Sequence, residues 1–301
     1  MMSNPFSLRR FLAQGHRIAM LSVALAIGCI RISINRTSDD RDWPVTGGDA
    51  ENSRYSPLTQ IDRGNVNQLA VAWTYHTGEE GREASQIQAT PIVVHGILYS
   101  TSGAGRAFAL RAESGEQVWK FSPPGGNGGG ANRGVVYWED GDERRVLFTA
   151  GSRLYALDAA TGALVTTFGT GGWIDLAKGL GRDGANQSVT ATSPGVIFKD
   201  LIIQGSRVGE GDGSAPGYVR AFDVRTGALR WAFHTIPQPG EFGYDTWPAD
   251  AWRTVGGANS WGGMAVDVPR GIVYVPTGSA TPDFYGGNRV GANLFANSLL
   301  A

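Results

Sequence analysis

Asn259-Ser260-Trp261-Gly262-Gly263-Met264 sets a large flat indole beside two glycines, directly ahead of a short apolar run. Glycine removes side chains where something approaches the backbone closely. Two readings of Trp261 follow: a buried ring at the start of a core strand, or a platform on which a flat cofactor stacks. A second run, Gly271-Ile272-Val273-Tyr274-Val275-Pro276-Thr277-Gly278, leads into Thr281-Pro282-Asp283-Phe284-Tyr285-Gly286-Gly287-Asn288-Arg289. Arg133 precedes another apolar run, where a guanidinium either stays solvated or forms paired bonds to a carboxylate. Glu210 opens the glycine-rich loop Glu210-Gly211-Asp212-Gly213-Ser214, as a solvated carboxylate or as a ligand for a hard cation.

These residues need a scaffold, and composition bounds it. The chain has 301 residues and 42% hydrophobic content, enough for one large domain or two ordinary ones. A net charge of -1 leaves no electrostatic footprint for nucleic acid. The 44 glycines, 14 prolines and 9 tryptophans point to tight turns and short strands. A single cysteine, Cys29, excludes an internal disulfide and any cysteine metal cluster.

Residues 1–32 differ from the rest. Arg9 and Arg10 precede the apolar run Ile18 to Ile30, which Arg31 closes, the pattern of a secretory signal too short to span a bilayer comfortably. Ala24-Leu25-Ala26 offers a cleavage site, while Ala26-Ile27-Gly28-Cys29 loosely resembles a lipoprotein box with Cys29 lipidated. Arg9-Arg10-Phe11-Leu12 matches a twin-arginine signal only in part. Export with simple cleavage is the favoured expectation, residues 33–41 being a polar linker.

From Ala89 onward, short apolar runs alternate with Gly, Asp and Asn turns. Strands are expected at 92–94, 97–100, 107–110 and 117–121, again at 134–138, 145–149, 154–158 and 164–168, and again at 195–198, 201–204, 219–223 and 229–233. Ala109 to Gly115 is echoed by Ala156 to Gly162 and by Ala221 to Gly227, the last after an insertion around Glu210 to Pro216. Four-stranded units at a spacing of roughly 50 residues signal an all-β propeller. The aspartate and Thr-Gly of the echo suit a tight turn, and Trp119 and Trp231, just past it, are expected to pack between blades. Val71 to Gly78 reads as a lone last strand. The expectation is four blades plus one closing strand, the N-terminal part of a longer protein.

With the repeat in place, the chain from Asp42 to Ala301 resembles the pyrroloquinoline quinone (PQQ)-dependent dehydrogenases, closest to their quinoprotein glucose dehydrogenase branch. The resemblance rests on Asp42-Trp43-Pro44-Val45-Thr46-Gly47-Gly48-Asp49, Asn52-Ser53-Arg54-Tyr55-Ser56-Pro57-Leu58, Asn132-Arg133-Gly134-Val135, Asn259-Ser260-Trp261-Gly262 and Thr281 to Arg289. It implies an eight-bladed propeller with PQQ and Ca²⁺ in its channel. It also implies periplasmic oxidation of a sugar or alcohol, with electrons passed to ubiquinone or cytochrome c and the N-terminus or Cys29 as a means of membrane attachment.

Carried over residue by residue, the resemblance makes Trp261 the aromatic floor of the quinone and Arg133 a cofactor ligand. Glu210 falls where the family places a Ca²⁺ ligand, with Arg207 and Gly209 in the same loop beside the cofactor. Thr190 and Thr192 both lie near the family's threonine, and Thr192 is the one carried forward. Three departures stand out. Gly126 to Ala131 holds no cysteine where alcohol dehydrogenases of the superfamily carry a vicinal disulfide, which argues for the sugar branch. Ser279 stands at the position of an asparagine metal ligand. The family's general-base aspartate falls beyond Ala301; Asp283 is assigned instead to a turn or to substrate contact, and the 301-residue chain is expected to turn over weakly or not at all. The competing expectation is a non-enzymatic propeller of the same repeat acting as an envelope scaffold lipoprotein.

Overall fold

The computed structural model describes residues 42–79, 86–125, 130–182 and 188–301. The leader, Cys29 and the glycines at 126, 128 and 129 lie outside the described residues. Ile92–Val94 (β1), Ile97–Thr101 (β2), Ala107–Arg111 (β3) and Gln117–Phe121 (β4) form an antiparallel sheet in that order. Val136–Asp140 (β5), Glu143–Ala150 (β6), Arg153–Asp158 (β7) and Trp173–Asp175 (β8) form the second. After Val189–Thr190 (β9), a third sheet begins with Val196–Phe198 (β10) and Leu201–Gln204 (β11). The chain then detours through Arg207–Val208 (β12), which pairs with β9, before Val219–Asp223 (β13) and Leu229–Phe233 (β14) complete the sheet. Ala265–Asp267 (β15), Ile272–Pro276 (β16) and Leu299–Leu300 (β17) form the fourth. These are successive blades of a propeller. Among the described residues no helix is long and apolar enough to cross a membrane.

The sheets pack face to face, and side-chain alternation explains how. Successive residues of a strand point to opposite faces. In β6, Val146 and Phe148 enter the core shared with the first blade, whereas Leu147 enters the core shared with the third. In β7, Tyr155 and Leu157 face one way and Leu154 and Ala156 the other. A sheet covered on both faces must be apolar through its middle, which is why Val146 to Phe148 of β6 and Leu154 to Leu157 of β7 read as unbroken hydrophobic runs.

The second and third turns of the echoed motif are built the same way. Asp158 Oδ1 accepts the Thr161 N–H (2.9 Å) and hydroxyl (2.7 Å), while Gly162 N–H returns to the Asp158 carbonyl. Asp223 repeats this with Thr226 and Gly227. Burial pushes the Asp223 carboxyl up, but the Thr226 N–H and hydroxyl and the Arg225 N–H hold it below the ordinary carboxylate range. Gly162 has φ +71° and its missing side chain makes room for Trp119 of the preceding blade, 2.7 Å from where a Cβ would stand. The Trp119 indole N–H donates to the Ala159 carbonyl at 2.8 Å. Trp73 docks identically on Gly115 and the Ala112 carbonyl. Gly162→Ala should therefore cost about 2–4 kcal/mol, a left-handed penalty plus a clash. Gly141→Ala, also at positive φ (+59°) but facing open space, should cost only the backbone part, about 1–2 kcal/mol. Urea midpoints of the two variants check this.

Three expectations are corrected. The fourth strand of the second blade is β8, not 164–168: Leu164 makes a single bridge to Leu157, after which Phe168 turns into the core and Gly169, Gly171 and Gly172, all at positive φ, reverse the chain. Among the described residues Val71 to Gly78 joins no ladder; it lies along the first blade through Trp73 and through Tyr75, whose hydroxyl donates to Gln117 Oε1 at 2.7 Å. Trp231 does not pack between blades, because the outer strand β14 is exposed at all five positions.

Residues 42–54 form a strap. Trp43 exchanges two backbone bonds with Val93 of β1, and farther on Val266 N–H donates to the Ala50 carbonyl (2.8 Å) while Asn52 Nδ2 donates to the Met264 carbonyl (2.8 Å). One segment thus touches the first and fourth blades.

Candidate cofactor site

A cavity of about 530 Å³ opens where loops of the second, third and fourth blades meet, within the range of small-molecule sites. Its wall carries Arg133, Thr192, Arg207, Gly209, Glu210 and Trp261, together with Asp283 and Phe284. Six of the seven residues expected at the site thus come together although they span the chain from 133 to 261.

Asn132 fixes the first of them. It is buried, accepts the Thr101 hydroxyl and the Gly134 N–H on Oδ1 (both 2.9 Å), and donates to the Thr149 carbonyl at 2.6 Å. Arg133 follows: its N–H donates to the Thr192 carbonyl (2.9 Å) and its guanidinium lies 5.4 Å from the centre of the Trp261 ring. That is cation–π range.

Trp261 is held by its backbone. Ser193 donates its hydroxyl to the Trp261 carbonyl, and Asn259 donates from Nδ2 to Ser206 (2.8 Å). The residue is 49% exposed and lines the cavity. The core-strand reading of Trp261 is thereby overturned. Thr192 is the opposite case: the residue is 8% exposed, and its hydroxyl is buried without a hydrogen-bond partner. A buried hydroxyl left open is costly unless a ligand fills it. Thr190 belongs to the β9–β12 ribbon, opposite Arg207. Both threonines line the cavity.

Glu210 sits past the end of β12, its carboxylate largely exposed and 3.8 Å from Arg207. Gly209 keeps the loop tight, since a Cβ there would stand 2.6 Å from the Ser214 hydroxyl oxygen. Asp283 N–H donates to the Glu210 carbonyl at 3.1 Å. Burial pushes the Asp283 carboxyl up and the Glu210 charge pushes it further, with Arg289 opposing. Ser279 lies outside the cavity wall: its hydroxyl donates to Asn297 Oδ1 at 3.3 Å and its carbonyl accepts the Ala258 N–H. Asp283 and Asn132 are the residues that sequence reasoning undervalued. Both lie inside motifs already singled out, and only their folded neighbours reveal their roles.

A stacking ring with a guanidinium beside it is chemistry that can receive a flat, oxygen-rich molecule, and carboxylates stand at the cavity's edge. Residues 43–301 match the protein family described as PQQ: Glucose/ethanol/alcohol dehydrogenase, beta-propeller domain. The chain belongs to this PQQ dehydrogenase family. It is 34% identical over 286 residues to the quinoprotein glucose dehydrogenase of Escherichia coli, covering 87% of this chain and 35% of that protein. With the dehydrogenase subunit of the alcohol dehydrogenase (quinone) of Gluconacetobacter polyoxogenes it shares 33% over 288 residues, 86% of this chain and 36% of that one. The crystal structure of the quinohemoprotein alcohol dehydrogenase from Comamonas testosteroni superposes with a TM-score of 0.70 at 28% identity, over 86% of this chain and 40% of that chain. The chain spans about a third of the length of the curated relatives. PQQ and a metal ion are the cofactors that membership in this family brings, and sugar and alcohol relatives stand too close in identity to separate the substrate.

Proposed function

We propose that this chain forms the cofactor-binding arc of a PQQ- and Ca²⁺-dependent dehydrogenase that oxidises a sugar or alcohol hydroxyl in the periplasm, with a membrane quinone or a cytochrome as acceptor. The single observation that carries the reading is the half-exposed Trp261 ring 5.4 Å from the Arg133 guanidinium, in one cavity with the unpartnered Thr192 hydroxyl. These residues fit PQQ. Trp261 would carry its flat face, Arg133 would bond to its carboxylate or carbonyl oxygens, and Thr192 would donate its hydroxyl. Glu210 would hold the cation. Bound PQQ supplies the two-electron acceptor for oxidation of a C–OH group. The protein's part is to orient the reactants and to place charge; Arg133 does both. A scaffold would have no need of an open indole beside a guanidinium in one cavity, so the envelope-scaffold reading falls behind. The 301-residue chain alone is expected to bind cofactor and to turn over weakly or not at all.

Titrating the chain with PQQ in the presence of Ca²⁺, followed by quenching of tryptophan fluorescence, tests this. Saturable quenching is expected, and Arg133→Ala should weaken it by roughly 10–100-fold, the worth of a charge-assisted hydrogen bond. Absence of saturable quenching in the unaltered chain would overturn the reading.

A further inference from the structure

We propose that Gln204, a buried amide away from the cavity wall, is a positioning residue for the cofactor: it braces the backbone from which Trp261 presents its ring. The inference rests on the functional reading above and names a residue on which that site depends from outside.

Gln204 ends β11 after Leu201, Ile202 and Ile203, is 4% exposed, and does not line the cavity. A polar side chain at such a place costs free energy unless hydrogen bonds offset its desolvation. Its amide nitrogen donates to two carbonyls, Ser193 at 3.2 Å and Gly205 at 2.9 Å. Both partners are acceptors, which fixes the nitrogen end of the amide toward them. The oxygen end has no partner, so the donor nitrogen is what the side chain contributes. Gly195 leaves room for it, since a Cβ there would stand 2.9 Å from Gln204 Oε1.

From each of the two carbonyls the next contact leads to Trp261. Ser193 donates its hydroxyl to the Trp261 carbonyl. Gly205 packs so closely on the residue before Trp261 that a Cβ on it would stand 2.2 Å from the Ser260 carbonyl oxygen. Asn259 Nδ2, on Ser206 at 2.8 Å, ties the same two segments once more. On the far side, Gly262 and Gly263 face open space, which leaves the third blade as the side that braces the indole. A binding geometry is as exact as the residues that lock it. One amide, reaching both segments that hold residues 260 and 261, thereby sets how the ring meets a flat ligand and how it stands to the Arg133 guanidinium.

The test uses PQQ as the probe, in equilibrium dialysis of the 301-residue chain with Ca²⁺. Gln204→Met keeps the length and bulk of the side chain and removes its donor. It is measured alone and together with Trp261→Ala, beside Ser193→Ala in the same two backgrounds, with the melting temperature of each recorded. Gln204→Met should weaken PQQ by roughly 3–10-fold, the worth of a neutral hydrogen bond. With Trp261 already alanine the further loss should stay under about twofold, because the ring to be positioned is gone. The circular dichroism of bound PQQ, which follows the angle between quinone and indole, should change in Gln204→Met. Unchanged affinity in Gln204→Met, or an equal loss in both backgrounds, would overturn the positioning role and leave Gln204 a residue of the core. Where Gln204→Met fails to fold, the same two comparisons on Ser193→Ala decide. Absence of PQQ binding by the unaltered chain would defeat the functional reading itself, and this inference with it.

Discussion

Replacing Trp261 with alanine is expected to weaken PQQ binding by roughly 30–150-fold while leaving the fold intact. Trp261 is 49% exposed, so removal of its ring opens no cavity in the core. What disappears is the face on which the planar ligand lies, worth about 1–3 kcal/mol for a stacked heterocycle. The Arg133 guanidinium, 5.4 Å from the ring, also loses its rest, worth about 0.5–1 kcal/mol. The middle of their summed range, about 2–3 kcal/mol, converts to that ratio at 1.4 kcal/mol per tenfold. Because the substitution removes a fluorescent reporter, equilibrium dialysis read by PQQ absorbance is the suitable measurement. Trp261→Phe should recover most of the loss. Equal affinity in the alanine variant would show that the ligand does not rest on this ring.

Trp119→Ala should be the most destabilising single change among those considered, at about 3–5 kcal/mol. That is a large share of the 5–15 kcal/mol by which domains are stable. Trp119 is 6% exposed, fills the space left by Gly162 of the next blade and bonds to the Ala159 carbonyl. Its truncation opens a cavity between two sheets and leaves the Ala159 carbonyl to the longer bond from the Tyr99 hydroxyl, 3.3 Å. Trp231 stands at the same place in the repeat but is 37% exposed, so Trp231→Ala should cost under about 1 kcal/mol. Guanidinium denaturation of both variants makes the comparison internal. Equal losses would mean that the interblade contact contributes nothing beyond the burial of an indole.

Much of this was written in the chain. The blades were legible because short apolar runs separated by Asp and Thr-Gly turns have few other solutions, and the observed first and third sheets follow the expected strands nearly residue for residue. The misplacement at 164–168 has a local cause. Leu164 and Val165 look like a strand, but three glycines at positive φ reverse the chain just beyond them and pass the edge position to Trp173. Residues 71–78 show the converse: among the described residues this strand-like pattern joins no ladder. At the site, Trp261, Arg133 and Glu210 could be picked out only because the family resemblance joined them; no local pattern says that residues so far apart share a cavity. Ser279 was chosen by alignment of position, whereas the direction of a hydroxyl depends on its neighbours, here Asn297. Asp283 looked like a turn residue, which it also is. Its tie to Glu210 depends on the long insertion after β12, whose path no repeat could forecast.

The strap formed by residues 42–54 has a kinetic consequence. Its near anchor is β1 and its far anchor is β15, so the bonds from Ala50 to Val266 and from Asn52 to Met264 close a loop that contains three entire blades. Contacts of such sequence separation slow folding, because the entropy of closure is lost before the contact returns anything. Neighbouring blades can zip together through local hairpins, but the far anchor has no landing site until β15 and β16 are paired. The earliest stretch of the propeller is thus the one that must wait. Until it docks, the inner edge of the fourth blade stands open, and that interval is when this protein is most exposed to mispairing with another copy of itself.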